Sequence, residues 1–176
     1  MKCKEICVKN VLIERIIDLY IESFPEDERR SIVKFRNLFE NFDCFHVLAF
    51  FEGEDEFVGF LSYWDFETFR YGEHFAILPE KRNGGRGAQC LKMAIDIMGK
   101  PMVLEAEPPI DEMAKRRIGF YERNGFKLWK DLYYLQPAYE DYLKPVELKL
   151  MTIGDIDFEG EDDPKILKMK KMVYEG

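Results

Sequence analysis

Between residues 68 and 106 the sequence changes its period repeatedly, and that change constrains the fold more than any other feature. TFRYGEHFAIL (68–78) is rich in aromatic and β-branched residues and predicts a strand. PEKRNGGRGA (79–88) holds a proline and three glycines and can only be a loop. Ala88, Leu91, Ile95 and Met98 then recur at helical spacing until Gly99. Pro101 opens a short apolar strand, MVLEAE, which Pro108 and Pro109 stop. A strand, loop, helix and strand in that order make a crossover, and a crossover joins parallel strands.

The neighbouring segments predict antiparallel pairing. CFHVLAFF (44–51) and EFVGFLSYWD (56–65) flank a Gly-Glu-Asp-Glu turn and read as a hairpin that feeds the strand at 68–78. Upstream, 3–9 predicts an edge strand. Asn10 can cap a helix carrying Ile13, Ile16, Ile17, Tyr20 and Phe24, and Pro25 ends it. Ile32, Phe35, Phe39 and Phe42 predict a second helix over 26–41. Downstream, 111–123 predicts a helix with a left-handed exit at Asn124-Gly125, followed by strands at 126–135 and 146–152. The expected class is α/β, with a mixed, mainly antiparallel central sheet flanked by helices. Residues 1–152 form one expected domain. Residues 153–176, acidic and then basic, are an extension that reads as a docking helix or an appendage.

Composition removes several functions. Apolar residues at 47% and aromatics at 15% supply a core, which excludes a disordered chain. No apolar run is long enough for a membrane span, and MKCKEICVKN lacks a signal-peptide core, so a cytoplasmic protein without membrane partners is expected. The four cysteines and two histidines match no zinc spacing, so no metal is expected. A net charge of −8 opposes nucleic-acid binding. Two basic clusters break that balance: Lys81, Arg82, Arg86 and Lys92, and Lys115, Arg116 and Arg117. Each is compatible with a solvated face; together they suggest a small anionic ligand.

Arg82, Asn83, Gly84, Gly85, Arg86, Gly87 and Ala88 follow a strand and open a helix. Helix N-termini carry unpaired N–H groups and positive dipole ends, and glycines let backbone wrap an anion. Phosphate or pyrophosphate is the natural guest, although a plain tight turn would also use these residues. A Walker loop would end Gly-Lys-Ser/Thr, and this one ends Gly-Ala. A dinucleotide fold would need consecutive parallel units, where the preceding strands here read as hairpins.

The same residues resemble the GNAT acyltransferases. Arg82, Gly85 and Gly87 match that family's Arg/Gln-x-x-Gly-x-Gly/Ala loop. Ala76-Ile77-Leu78-Pro79 matches the end of its preceding strand, and Tyr121-Glu122-Arg123-Asn124-Gly125-Phe126 its later helix exit. Element order agrees over residues 1–152. The resemblance implies acetyl-CoA as co-substrate. It implies that the backbone of Phe75, Ala76 and Ile77 meets the pantetheine, that Arg82 through Ala88 cradle the pyrophosphate, and that Tyr121 protonates the departing thiolate. Tyr121 also fits a packing stripe with Ala114 and Ile118. Many relatives carry Asn seven residues before that tyrosine; here it is Ala114, and the cluster of Lys115, Arg116 and Arg117 would reach the CoA phosphates instead.

The resemblance also implies acetyl transfer to an amine of a small molecule, amino acid or peptide, and because a free amine near pH 7 is mostly protonated a base would be useful. Strand alternation predicts that Tyr71, Glu73 and Phe75 share a face, which makes Glu73 the first candidate. Glu105 and Glu107 follow. All three are equally ordinary as exposed carboxylates. By the same resemblance the acceptor wall includes Phe24 through Arg30 with Tyr133, Tyr134, Tyr139 and Tyr142; its acidic residues favour a cationic amine, and Arg29 and Arg30 an acceptor that also carries a carboxylate. A CoA-binding module without catalysis and a general nucleotide binder remain alternative readings, and the protein is expected as a monomer or homodimer.

Overall fold

The crossover strand is the centre of the molecule. The computed structural model describes residues 1–7 and 9–174. The strands are β1 (Lys2–Glu5), β2 (Phe45–Glu52), β3 (Glu56–Asp65), β4 (Arg70–Ile77), β5 (Met102–Ala106), β6 (Lys127–Leu128), β7 (Tyr134–Gln136) and β8 (Val146–Ile153). The helices are α1 (Ile13–Ser23), α2 (Ile32–Asn41), α3 (Arg86–Met98), α4 (Glu112–Arg123) and α5 (Pro164–Tyr174). Sheet order is β1-β2-β3-β4-β5-β8-β6, with β7 also on β8. Every pairing is antiparallel except β4 with β5. The expected mixed sheet is therefore present.

Helices cover both faces. Ile16, Tyr20, Phe35, Ile166 and Met169 from α1, α2 and α5 pack on one face, against Phe60, Trp64 and Val103. Cys90, Leu91, Ala94 and Ile118 from α3 and α4 pack on the other, against Leu61, Leu104 and Met151. The described part of the extension, 153–174, thus joins the main core, since Ile166, Met169 and Val173 of α5 are almost fully buried in it. Their spacing of three and four presents one apolar stripe, which is what docks the helix.

Three expectations need correction. The helix over 26–41 is broken: a 3-10 turn spans Glu26–Glu28, and α2 begins only after Ser31. Ser31 caps α2 by accepting the Lys34 N–H at 3.4 Å, and the Arg30 N–H is taken by the Tyr20 hydroxyl at 2.8 Å. The strand over 126–135 is two short pieces, because the chain loops out between β6 and β7 where Lys149 Nζ donates to the Lys130 and Leu132 carbonyls. Tyr71, Glu73 and Phe75 do not share a face. A β-bulge sits at Glu73: Tyr63 pairs with Gly72 and Ser62 with His74, so Glu73 is the extra residue. Tyr71 and Ala76 therefore face one core and Phe75 the other.

The bulge coincides with a split in the sheet. β4 and β5 pair only at Arg70–Met102, Tyr71–Val103 and Gly72–Leu104. Beyond Gly72 the β5-facing edge of β4 has no strand partner. On its other edge, Leu78 N–H donates to Val58 at 2.9 Å, so alternation gives Ala76 to β3 and leaves the N–H groups of Phe75 and Ile77 toward the gap.

Gly59 fixes how closely β3 approaches this edge. A Cβ there would lie 2.2 Å from the Ala76 carbonyl oxygen, and that backbone has no flexible end to move. Gly59→Ala should cost about 1–3 kcal/mol or more by overpacking. Gly160→Ala, in open space, should be neutral. Urea midpoints of the two variants check this; equal midpoints would show that β3 and β4 can separate freely.

Candidate functional site

The gap between β4 and β5 opens into a cavity of about 830 Å³. Its position, at the carboxyl ends of two parallel strands, is where open α/β sheets bind ligands. One arm runs to the glycine-rich loop and α4, the other to α1, β5 and β7.

The loop arm is built for an anion. Asn83 and Gly85 take left-handed backbone, with φ of 65° and 71°, which curls the chain into α3. Gly85 needs its glycine for that φ, and Asn tolerates it. Bonding within α3 starts with Gln89 N–H to the Gly85 carbonyl at 3.1 Å, so the Arg86, Gly87 and Ala88 amides lack intrahelical partners. Arg82, Asn83, Gly85, Gly87 and Ala88 line the cavity. Gly84 lies outside its wall, and Arg86 turns away to Glu52 at 3.0 Å. Arg82 donates through Nε to the Ile77 carbonyl at 2.9 Å, and Arg116 and Arg123 also line the cavity. Among the described residues these three arginines have no carboxylate partner, whereas Lys115 pairs with Glu112 and Arg117 with Glu107. A free strand edge, free helix amides and unpaired cations fit a long ligand with an amide-bearing arm and a pyrophosphate, as CoA has.

Tyr121 comes from α4, whose end fixes it. Asp111 caps the start by accepting the Ala114 N–H at 2.8 Å. At the exit, Phe126 N–H donates to the Tyr121 carbonyl and Gly125 N–H to Glu122, both at 3.0 Å, with Gly125 at φ 92°. This Schellman motif is what the Asn-Gly pair predicts. The Tyr121 ring is buried yet lines the cavity, and among the described residues its hydroxyl has no hydrogen-bond partner. Burial pushes that hydroxyl up to about 12.

The other arm holds the carboxylates. Glu73 has a side chain wholly buried at the bulge. It pairs with Arg30 and accepts from Trp64 Nε1 at 2.9 Å and the Tyr139 hydroxyl at 3.0 Å. Burial would raise the Glu73 carboxyl, but the Arg30 guanidinium and these donors hold it below the usual range. Glu105 has the opposite balance. Burial raises it to about 7, against donation from Tyr134 and Tyr174. Glu28 is also raised, first by burial and then by Glu107 nearby. His74, beside Glu73, is pushed down to about 4 by burial and donates from Nε2 to the Glu28 carbonyl, 3.1 Å away.

Of the acceptor residues expected from sequence, Phe24, Glu28 and Tyr139 line the cavity, and Arg29, Arg30 and Tyr133 do not. The Arg30 side chain is 5% exposed and is spent on Glu73 and the Val173 carbonyl, with its guanidinium 4.6 Å from the Tyr139 ring centre. Arg29 donates to the Phe24 carbonyl at 3.1 Å, and Tyr133 stands on the surface at 50% exposure. His74 and Gln136 complete the wall beside Phe24, Glu28 and Tyr139. Gln136 was not singled out by sequence; its one signal is its place two residues after Tyr134 on an aromatic strand, which turns both inward. Among the described residues no group of three or more His, Cys, Asp or Glu is placed to hold a metal ion. No helix among them is long and apolar enough to cross a membrane.

Comparison with known proteins agrees with this geometry. The family model for the GNAT acetyltransferases matches residues 13–126. A Bacteroides thetaiotaomicron protein assigned to the GNAT acetyltransferase family superposes with a TM-score of 0.92 at 36% identity, covering 99% of this chain and 98% of that one. A variant of spermidine N-acetyltransferase SpeG from Vibrio cholerae shares the fold with a TM-score of 0.64 at 14% identity, covering 87% and 94%. Arabidopsis thaliana Naa50, in complex with the bisubstrate analogue CoA-Ac-MVNAL, gives 0.61 at 14%, covering 88% and 100%. No curated protein matches the chain. The family model spans the crossover, the anion loop and the Tyr121 helix, and the Bacteroides likeness runs end to end: the chain belongs to the GNAT acetyltransferase family.

Proposed function

We propose that this chain transfers the acetyl group of acetyl-CoA to a primary amine of a small molecule, amino acid or peptide by direct attack. The observation that carries the reading is one cavity that joins a glycine-rich loop with free helix amides to the buried Glu105 carboxyl. The Arg86, Gly87 and Ala88 amides, with Arg82, Arg116 and Arg123, would hold the pyrophosphate and phosphate. The Phe75 and Ile77 N–H groups would meet the pantetheine and the acetyl carbonyl oxygen, where acyl transfer builds negative charge.

Three groups compete as base, and their proton affinities separate them. A base works best with a pKa near the operating pH. Glu73 is held low by Arg30, and His74 at about 4 binds a proton too weakly. Glu105 at about 7 is matched to the task. As the amine nitrogen forms its bond to the acetyl carbon, the carbon–sulfur bond breaks and the nitrogen's proton passes to Glu105. Tyr121, whose hydroxyl stays protonated, donates a hydrogen bond to the departing sulfur. Full transfer from a phenol at about 12 to a thiolate, with a reference pKa of about 8.5, is uphill. The thiolate therefore leaves hydrogen-bonded and takes its proton from water.

The acidic wall of Glu22, Glu28 and Glu107 favours a cationic acceptor, and Arg30, occupied by Glu73, is unavailable to a carboxylate on it.

Glu105→Gln should lower kcat/KM about 10²- to 10⁴-fold while leaving CoA affinity, read by calorimetry, unchanged. In the native protein kcat/KM should fall as pH drops through about 7, because Glu105 is then protonated. A CoA-binding protein without catalysis would release no thiol from acetyl-CoA with any amine, and this outcome would remove the enzyme reading. Arg116→Glu should weaken CoA about tenfold or more, the scale of one lost hydrogen bond to a charged group. The loss should shrink at high salt. Unchanged affinity would show that Arg116 does not face the phosphates.

A further inference from the structure

The C-terminal helix reaches the site at one residue. Tyr174 is the last residue of α5, and its hydroxyl lies 3.1 and 3.0 Å from the two oxygens of Glu105. It also lies 2.9 Å from the Tyr71 hydroxyl. Tyr174 has one hydrogen, and an ionised carboxylate can only accept. That hydrogen therefore goes to Glu105, and Tyr71 donates to Tyr174. Tyr134 donates to Glu105 Oε1 from β7. Glu105 thus lines the cavity on one side and is backed by tyrosine hydroxyls on the other.

We propose that Tyr174 is a positioning residue for acetyl transfer: it fixes the Glu105 carboxylate in the orientation that faces the cavity and stabilises its ionised form. The role rests on the reading of Glu105 as base. The helix is anchored for it. Ile166, Met169 and Val173 are buried in the core, and the Val173 carbonyl accepts from Arg30, the same arginine that holds Glu73. The Tyr174 ring packs 5.0 Å from that of Tyr139, which donates to Glu73.

The other charged and titratable groups around Glu105 do not replace this contact. From β4 come Tyr71 and Glu73, and the neighbouring negative charge of Glu73 raises Glu105. Tyr139 packs beside Tyr174 and is committed to Glu73. Arg30 is neutralised by Glu73, and Lys170 of α5 sits over the Tyr134 ring, its Nζ 4.9 Å from the ring centre. Tyr174 touches both carboxylate oxygens, so it opposes rotation of the group as well as its protonation.

The test is Tyr174→Phe, which removes only the hydroxyl. The Glu105 carboxyl is titrated by 13C NMR in the full chain, with Glu105→Gln identifying its signal. Acetyl transfer is followed as thiol release from acetyl-CoA, with spermidine, free lysine and a peptide N-terminus as acceptors. In Tyr174→Phe the Glu105 midpoint should rise by about one pH unit, the size of one lost hydrogen bond to a charged group. At pH 7 kcat/KM should fall about fivefold, as the ionised fraction drops from about one half to about one eleventh, and should recover by about pH 9. The KM for acetyl-CoA should not move. An unshifted Glu105 midpoint, or a loss of activity equal at every pH, overturns the positioning role while Glu105→Gln remains inactive. Full activity in Glu105→Gln overturns the base itself and with it any role for Tyr174. If Tyr174→Phe melts early, Tyr71→Phe weakens the same chain of hydroxyls without altering α5. It should move the midpoint in the same direction, and an unmoved midpoint there overturns the chain.

Discussion

The buried ion pair between Arg30 and Glu73 is what the split sheet depends on. A bulge leaves Glu73 unpaired at the point where β4 stops bonding β5. An uncompensated carboxylate there would cost several kcal/mol. Arg30 compensates it, and Trp64 and Tyr139 satisfy its remaining acceptor sites. Apolar residues at both positions would not hold together the four elements that meet here. Arg30 lies between α1 and α2, Glu73 on β4, Tyr139 after β7, and the Val173 carbonyl on α5. The pair works as a clamp on the cavity's walls more than as a source of stability.

That clamp explains why part of the molecule was readable in sequence and part was not. The crossover, the hairpin and the exit of α4 are local. Period, proline and glycine determine them within a dozen residues, and they appear where expected. The bulge is one extra residue in a strand that otherwise alternates, and nothing in RYGEHFAI marks which residue is extra. Missing it reversed the face of Phe75 and made Glu73 look like a free base. Its partner Arg30 is 43 residues away, and the pair looks in sequence like two ordinary surface charges. The same distance argument hides Tyr174, which is 69 residues from Glu105 and lies in a tail outside the family's pattern.

The two arms of the cavity carry opposite charge, and the protein's net charge of −8 obscures this. Arg82, Arg116 and Arg123 face one arm; Glu22, Glu28, Glu105 and Glu107 face the other. An anionic acyl donor and a cationic amine would each be drawn to the correct end by the same field.

Local chemistry within the acidic arm is then a matter of which carboxylate is paired. Glu73 and Glu105 are both buried and close enough that each raises the other's cost of ionisation. Two neighbouring carboxyls in such a setting separate in proton affinity, and the one with the cation keeps its charge. Arg30 assigns the permanent charge to Glu73 and leaves Glu105, supported only by neutral hydroxyls, to gain and lose a proton. The fold therefore uses one arginine for two ends: it closes the bulge that splits the sheet, and it leaves Glu105 as the glutamate whose charge can change.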